Sequence, residues 1–225
     1  MKIDIISDVV CPWCYIGKKN LEAAMAQRPD IDFEVQWFPY QLHPEAPLEG
    51  YNYRQSIESK YGEARIEMMF AQITQVGRAS GIEFNLSGIE RGANTLKAHR
   101  LLDFAFQNGG LDVQNKLSEA LFNAYFCDIR DVGSIDELCA IAADVGLDSA
   151  EVNTYLNSDE DLDKIEKQIN FARQQGVSGV PSFSLDGKFI LSGGQQPEVF
   201  LSAIDRLAAQ TDSEAAPACT PDSCP

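Results

Sequence analysis

Two cysteines two residues apart, Cys11-Pro12-Trp13-Cys14, follow a short apolar run, Ile3-Asp4-Ile5-Ile6, and open a segment with helical periodicity. A thiolate is the nucleophile in disulfide exchange. A cysteine that begins a helix has unpaired backbone N–H groups and the positive end of the helix dipole aimed at its sulfur, which favours that thiolate. The second thiol then lies one turn further in, close enough to attack a mixed disulfide formed by the first. This spacing makes Cys11 the exposed nucleophile and Cys14 the sheltered resolving thiol. Pro12 suits the first helical turn, where its missing N–H costs little, and Trp13 offers an apolar platform for a substrate chain.

A zinc site would need four ligands, usually as a second close pair. The other cysteines are Cys127, Cys139, Cys219 and Cys224, and the histidines are His43 and His99, so no Cys₂His₂ pattern appears and no metal is expected. Nothing around Cys127 or Cys139 suggests activation, and both read as buried inert thiols. Cys219 and Cys224 sit in a polar tail and form a candidate second redox pair that could exchange electrons with Cys11/Cys14; an exposed dithiol without function is the alternative. Asp8, three residues before Cys11, could accept the Cys14 proton during resolution, although a solvated turn residue is the simpler reading. Val180-Pro181, after Gly179 and before a strand pattern, is a place where a cis peptide bond could sit, or where proline merely begins an edge strand.

These residues need elements to hold them. Residues 2–7 form a short strand pattern and Cys11 through about Arg28 a helix, with Cys14, Leu21 and Met25 along one face. Ile31-Asp32-Phe33-Glu34-Val35-Gln36-Trp37 alternates like a strand with one buried side, which completes a βαβ unit. Near the other end, Pro181-Ser182-Phe183-Ser184-Leu185 and Lys188-Phe189-Ile190-Leu191 flank Asp186-Gly187, a dipeptide suited to a tight antiparallel hairpin. A final helix starts at about Pro197 with Phe200, Ala203, Ile204 and Leu207 on one face.

Between these halves the apolar spacing is helical: Ile66 to Val76, Ala98 to Phe106, and Leu117 to Ala124. Ser134 with Glu137, and Asp148 with Glu151, mark two more helix starts. Another helix carries Leu162, Ile165, Ile169 and Ala172 before Gly176-Val177-Ser178-Gly179 returns the chain to the sheet. The pattern divides the chain into an α/β domain, residues 1–47 and 161–209, an inserted helical domain, 48–160, and a tail, 210–225, too poor in large apolar residues to pack by itself.

A chain of 225 residues can bury a full core, and no apolar run approaches the roughly 20 residues a membrane-spanning helix needs. With 34 acidic against 18 basic residues the net charge is −16, which repels phosphate backbones and anionic membrane surfaces, so neither nucleic acid nor membrane is an expected partner. The first residues lack the apolar centre of a secretory signal, so a cytoplasmic location is expected, where a close cysteine pair is catalytic or metal-binding more often than structural.

Strand, Cys-Pro-Trp-Cys helix, strand, helical insertion, then Val180-Pro181 before a hairpin and last helix together resemble the DsbA family of thioredoxin-like proteins over about residues 1–208, in particular its FrnE-like cytoplasmic branch. The resemblance implies a thioredoxin-like fold with a mixed sheet, a cis Pro181 beside Cys11, and a Val180 backbone that pairs with a bound peptide. Asn94-Thr95-Leu96-Lys97-Ala98-His99-Arg100 resembles a segment shared with 2-hydroxychromene-2-carboxylate isomerases, which implies a substrate-facing Asn94 where the residues alone suggest a helix start. Periplasmic DsbA has histidine between its cysteines. Trp13 cannot donate positive charge to a thiolate, so a strongly oxidising potential is not expected. The isomerase and kappa-class glutathione transferase relatives place serine at the position of Cys11, and the complete pair here favours dithiol chemistry.

The expected function is that of a thiol–disulfide oxidoreductase or isomerase using Cys11/Cys14 on protein or small-molecule disulfides. It needs no bound cofactor; glutathione or a thioredoxin-type reductant is a candidate electron partner, and the direction of electron flow is open. Two other classes remain open: a glutathione-dependent isomerase or transferase acting on an apolar small molecule, and a binding protein whose cysteines only sense redox state.

Overall fold

The computed structural model describes residues 1–215. Strand β1 (Lys2–Ser7) leads into helix α1 (Pro12–Met25) and strand β2 (Glu34–Pro39), which lies parallel to β1 with Lys2 opposite Glu34 and Ser7 opposite Pro39. β2 thus begins and ends later than the alternation at 31–37 suggests. Pairing with the whole of β1 sets its limits, while Ile31 and Phe33 pack beside the core outside the ladder.

The chain then forms β3 (Tyr51–Asn52), α2 (Tyr53–Tyr61), α3 (Glu63–Ala79) and β4 (Arg91–Gly92). Helix α2 has no fully buried residue, which explains why no apolar stripe announced it. The span labelled α4 (Leu96–Phe126) holds two of the expected helices, which meet at a kink where Gly110, with φ of 72°, interrupts the helical conformation. Helices α5 (Ile135–Asp144), α6 (Ser149–Leu156) and α7 (Leu162–Gln174) follow.

Asp148 caps α6 as expected, accepting from the N–H groups of Ala150 and Glu151. Ser134 makes no side-chain cap to α5, because Glu137 is drawn to Arg130 Nε at 2.6 Å and the Ser134 N–H donates to the Asp131 carbonyl. The expected reciprocal cap is therefore absent at α5.

Strands β5 (Ser182–Leu185) and β6 (Phe189–Ser192) close the main sheet in the order β2-β1-β5-β6, with β1/β5 and β5/β6 antiparallel. Their turn has positive φ at both Asp186 (48°) and Gly187 (67°), the conformation that dipeptide suits. Asp186 also accepts a 2.6 Å hydrogen bond from the Lys2 N–H, tying the hairpin to β1. Helix α8 (Pro197–Ala215) packs along α1 and runs five residues beyond the point where composition changes. Cys219 and Cys224 lie outside the described residues.

The core is continuous from sheet to insertion. Ile3, Ile5, Phe183 and Phe200 are fully buried, and Tyr15 of α1 stacks on Phe122 of α4 at 5.2 Å, with Trp37 of β2 edge-on to the same ring. Among the described residues no helix is long and apolar enough to cross a membrane.

Candidate active site

β1 ends at Ser7, and the chain turns through Asp8-Val9-Val10, with the Cys11 N–H donating to the Asp8 carbonyl at 3.0 Å. Cys11 is the N-cap of α1 in extended conformation (φ −100°, ψ 111°), and Pro12 takes the first helical position. The Cys11 carbonyl accepts from the N–H of Cys14 at 3.0 Å, so one tight turn separates the two cysteines. Both thiols are free and close together.

Cys14 is completely buried. Burial pushes its thiol well above the ordinary value, and the hydrogen bond and charge of Cys11 add to this, while the Ser7 hydroxyl and the Asp8 backbone favour the thiolate. The balance favours the protonated thiol at Cys14. Cys11 is only 4% exposed, which corrects the expectation of an exposed nucleophile. Its Sγ points at the Val180 carbonyl, 3.6 Å away, on the loop that precedes β5.

The Val180-Pro181 peptide is cis, and Pro181 stands beside the dithiol helix. Gly17 of α1 permits this approach: a Cβ there would lie 2.8 Å from Phe183 Cζ and 3.3 Å from Pro181 Cγ. Gly194 does the same on the other side, where a Cβ would meet the Trp13 carbonyl at 3.0 Å. Trp13 itself is partly buried against the core.

Asp8 is fully buried, not a solvated turn residue. Its Oδ2 accepts from the Leu42 N–H at 2.8 Å, and its Oδ1 lies 3.3 Å from Nε2 of His99, which is 3% exposed on α4. Asn94 directs its polar atoms inward: Oδ1 accepts from the Leu96 N–H and from Gln41, and Nδ2 donates to the Ala46 carbonyl. That is the geometry of a helix start that holds the loop after β2, not of a residue facing substrate. Cys139 is buried and Cys127 half-buried, with burial and nearby carboxylates pushing the Cys127 thiol up.

Sequence reasoning missed Ser7, Gly17, Gly194 and the placement of His99 against Asp8. Only His99 carried a signal, as a histidine on an otherwise apolar helix face between Ala98 and Leu102. Among the described residues no cluster of His, Cys, Asp or Glu could hold a metal ion.

A thiol at a helix N-terminus, a buried partner thiol one turn on and a cis-proline loop against the first sulfur define a thioredoxin-fold dithiol protein. A family model described as a DSBA-like thioredoxin domain matches residues 2–205, and the chain belongs to that family of DsbA-like thiol–disulfide oxidoreductases. It is similar over 100% of its length to the crystal structure of a probable DsbA oxidoreductase from Streptomyces coelicolor, of which it covers 98%, with a TM-score of 0.84 and 30% identity. An uncharacterized protein of Bacillus subtilis, YwbO, is 26% identical over 204 residues, 90% of this chain and 94% of that one. A 2-hydroxychromene-2-carboxylate isomerase shares the fold at a TM-score of 0.72 and 17% identity, covering 96% of this chain and 100% of that structure.

Proposed function

We propose that the protein exchanges disulfides of proteins or small molecules through the Cys11/Cys14 dithiol, as a FrnE-like member of its family working in the reducing cytoplasm. The observation that carries this reading is the convergence on one sulfur of the α1 N-terminus, the Cys14 thiol and the Val180 carbonyl ahead of cis Pro181. The Cys11 thiolate attacks a substrate disulfide, and the first substrate sulfur leaves. Cys14 then attacks Cys11 Sγ, the second substrate sulfur leaves, and the substrate gains the two electrons the cysteines lose. No bound cofactor enters these steps, and glutathione or a thioredoxin-type protein restores the dithiol. The Val180 backbone would pair with an extended substrate segment. Unpaired Cys127 and Cys139 suit a compartment that keeps thiols reduced.

The test is reduction of insulin disulfides by the full chain, alongside Cys14→Ser to trap mixed disulfides and Cys11→Ser as the inactive control. Turnover with trapped protein adducts supports the reading; no turnover and no adduct on Cys11 would sink it.

A glutathione-dependent isomerase is the second reading. An open groove of about 890 Å³ between α7 and the sheet favours it, lined by Phe38, Phe171 and Ile190 and reaching Val180. Adducts carrying glutathione alone, with turnover of an apolar small molecule, would select it.

A further inference from the structure

Ser7 Oγ and His99 Nδ1 are buried without an oxygen or nitrogen hydrogen-bond partner, and the buried Asp8 Oδ1 lies 3.3 Å from His99 Nε2. Such atoms are costly when isolated, and a group of them at one place asks for a function. Ser7 and His99 both line a small cavity of about 20 Å³ between the end of β2 and α4, enough for one water molecule with polar neighbours. Ser7 also lies against Cys14, where its hydroxyl favours the thiolate.

The arrangement of His99 is specific. Its Nε2 is 2.8 Å from the Tyr40 carbonyl, which can only accept, so Nε2 carries the hydrogen and Nδ1 offers its lone pair. Asp8 Oδ1 stands 3.3 Å from the same Nε2, placed to stabilise the ring once Nδ1 is protonated. Asp8 and His99 thus form a carboxylate–imidazole pair whose basic nitrogen is left free.

Cys14 must lose its proton to resolve a mixed disulfide, yet it has no exposed surface through which to lose it. We propose that Ser7, a water in the cavity and His99 relay the Cys14 proton, with Asp8 as the positioning residue that holds the resulting imidazolium. The inference rests on the dithiol reading above. As the Cys14 S–H bond breaks, its proton passes to Ser7 Oγ, the Ser7 proton passes to the water, and a proton of the water passes to His99 Nδ1. The Cys14 sulfur forms its bond to Cys11 Sγ, and the Cys11–substrate S–S bond breaks with its electron pair leaving on the substrate sulfur. The charged and titratable groups that face the relay are Asp8 before α1, Tyr40 after β2 with Arg173 of α7 over its ring, and Asp103 of α4 paired with Lys164 of α7. Asp103 and Lys164 neutralise each other at the far wall, which leaves Asp8 as the carboxylate nearest the ring.

The experiment reacts the full chain with one equivalent of Ellman's reagent, quenches with acid at intervals, and follows the Cys11 adduct and the Cys11–Cys14 disulfide by peptide mass spectrometry. His99→Gln keeps a donor toward Tyr40 but removes the base, and Ser7→Ala interrupts the path upstream. Each is expected to slow decay of the adduct roughly a hundredfold near neutral pH without slowing its formation, with the deficit closing as the solution becomes alkaline. Asp8→Asn should show a smaller deficit of the same pH form. A purely structural defect would slow both phases or persist unchanged at high pH. Unaltered resolution in a folded Ser7→Ala or His99→Gln chain overturns the relay alone. An unmodified chain whose Cys11 adduct never becomes a Cys11–Cys14 disulfide overturns the dithiol reading with it.

Discussion

Gly17→Ala sets local preference against tertiary packing at the point where α1 meets the cis-proline loop. On helix propensity alone the change stabilises by about 1 kcal/mol, because alanine replaces glycine inside a helix. The added methyl would lie 2.8 Å from Phe183 Cζ, well inside contact distance. Phe183 cannot give way easily, since it is fully buried and edge-packed on Phe200 with ring centroids 4.8 Å apart. Overpacking of that kind costs about 1–3 kcal/mol, so the net expectation is a loss of about 1 kcal/mol and a Tm lower by roughly 2–4 °C. Relief by tilting α1 would also draw Cys11 away from the Val180 carbonyl, and insulin reduction should fall at temperatures where the variant is still folded. Thermal unfolding followed by circular dichroism reads the first effect and the insulin assay the second. Gly179→Ala, where a Cβ meets nothing within 4 Å, is the stability control and should leave Tm unchanged. A Gly17→Ala protein that melts higher than the parent would refute the claim that this glycine is needed for helix–loop contact.

Alkaline solution should destabilise the fold. Burial raises Tyr53 from 10.0 to about 12 and lifts Tyr15, Tyr125, Tyr155 and Cys14 as well, so their contribution is complete below the unfolded-state values and is lost as pH climbs past them. Tm measured across increasing pH should begin to fall at about pH 9 and drop steeply above about pH 10; a level profile through that range counts against the raised tyrosines. Arg100, 4% exposed, donates to the carbonyls of Tyr155, Leu156, Ser158 and Glu160 around the end of α6. Arg100→Ala should cost about 3 kcal/mol in urea unfolding and Arg100→Lys somewhat less, since an ammonium cannot span the same carbonyls. Asn94→Ala removes three internal hydrogen bonds and should cost about 2 kcal/mol; a raised KM for a disulfide substrate with no loss of stability would restore the substrate-facing role.

Much of this protein is local enough to be legible along the chain. The strand before Cys11, the helix after it and the turn at Asp186-Gly187 each follow from neighbouring residues, because alternation, a proline in the first helical turn and positive φ are properties of short segments. The closeness of the two cysteines is legible for the same reason, since one helical turn spans them. Elements without an apolar stripe, such as α2, carry no comparable signal. Ser134 illustrates a different failure: its capping partner Glu137 is taken by Arg130, and nothing in the local spacing could show which contact prevails.

What surrounds the dithiol was decided by tertiary structure alone. Asp8 reads as a solvated turn residue until Leu42, after β2, donates to it and His99, on α4, is brought to 3.3 Å. Gly17 reads as a weak point in a helix until Phe183 and Pro181 are packed against it from the other end of the chain. Cys11 reads as exposed until the Val180 loop closes on its sulfur. Periodicity and caps depend on residues a few positions apart, whereas burial, charge pairing and close approach depend on which distant segments the sheet order β2-β1-β5-β6 makes neighbours. The spacing of Cys11 and Cys14 was therefore set by the sequence, and the burial and polar contacts around them were set by the fold.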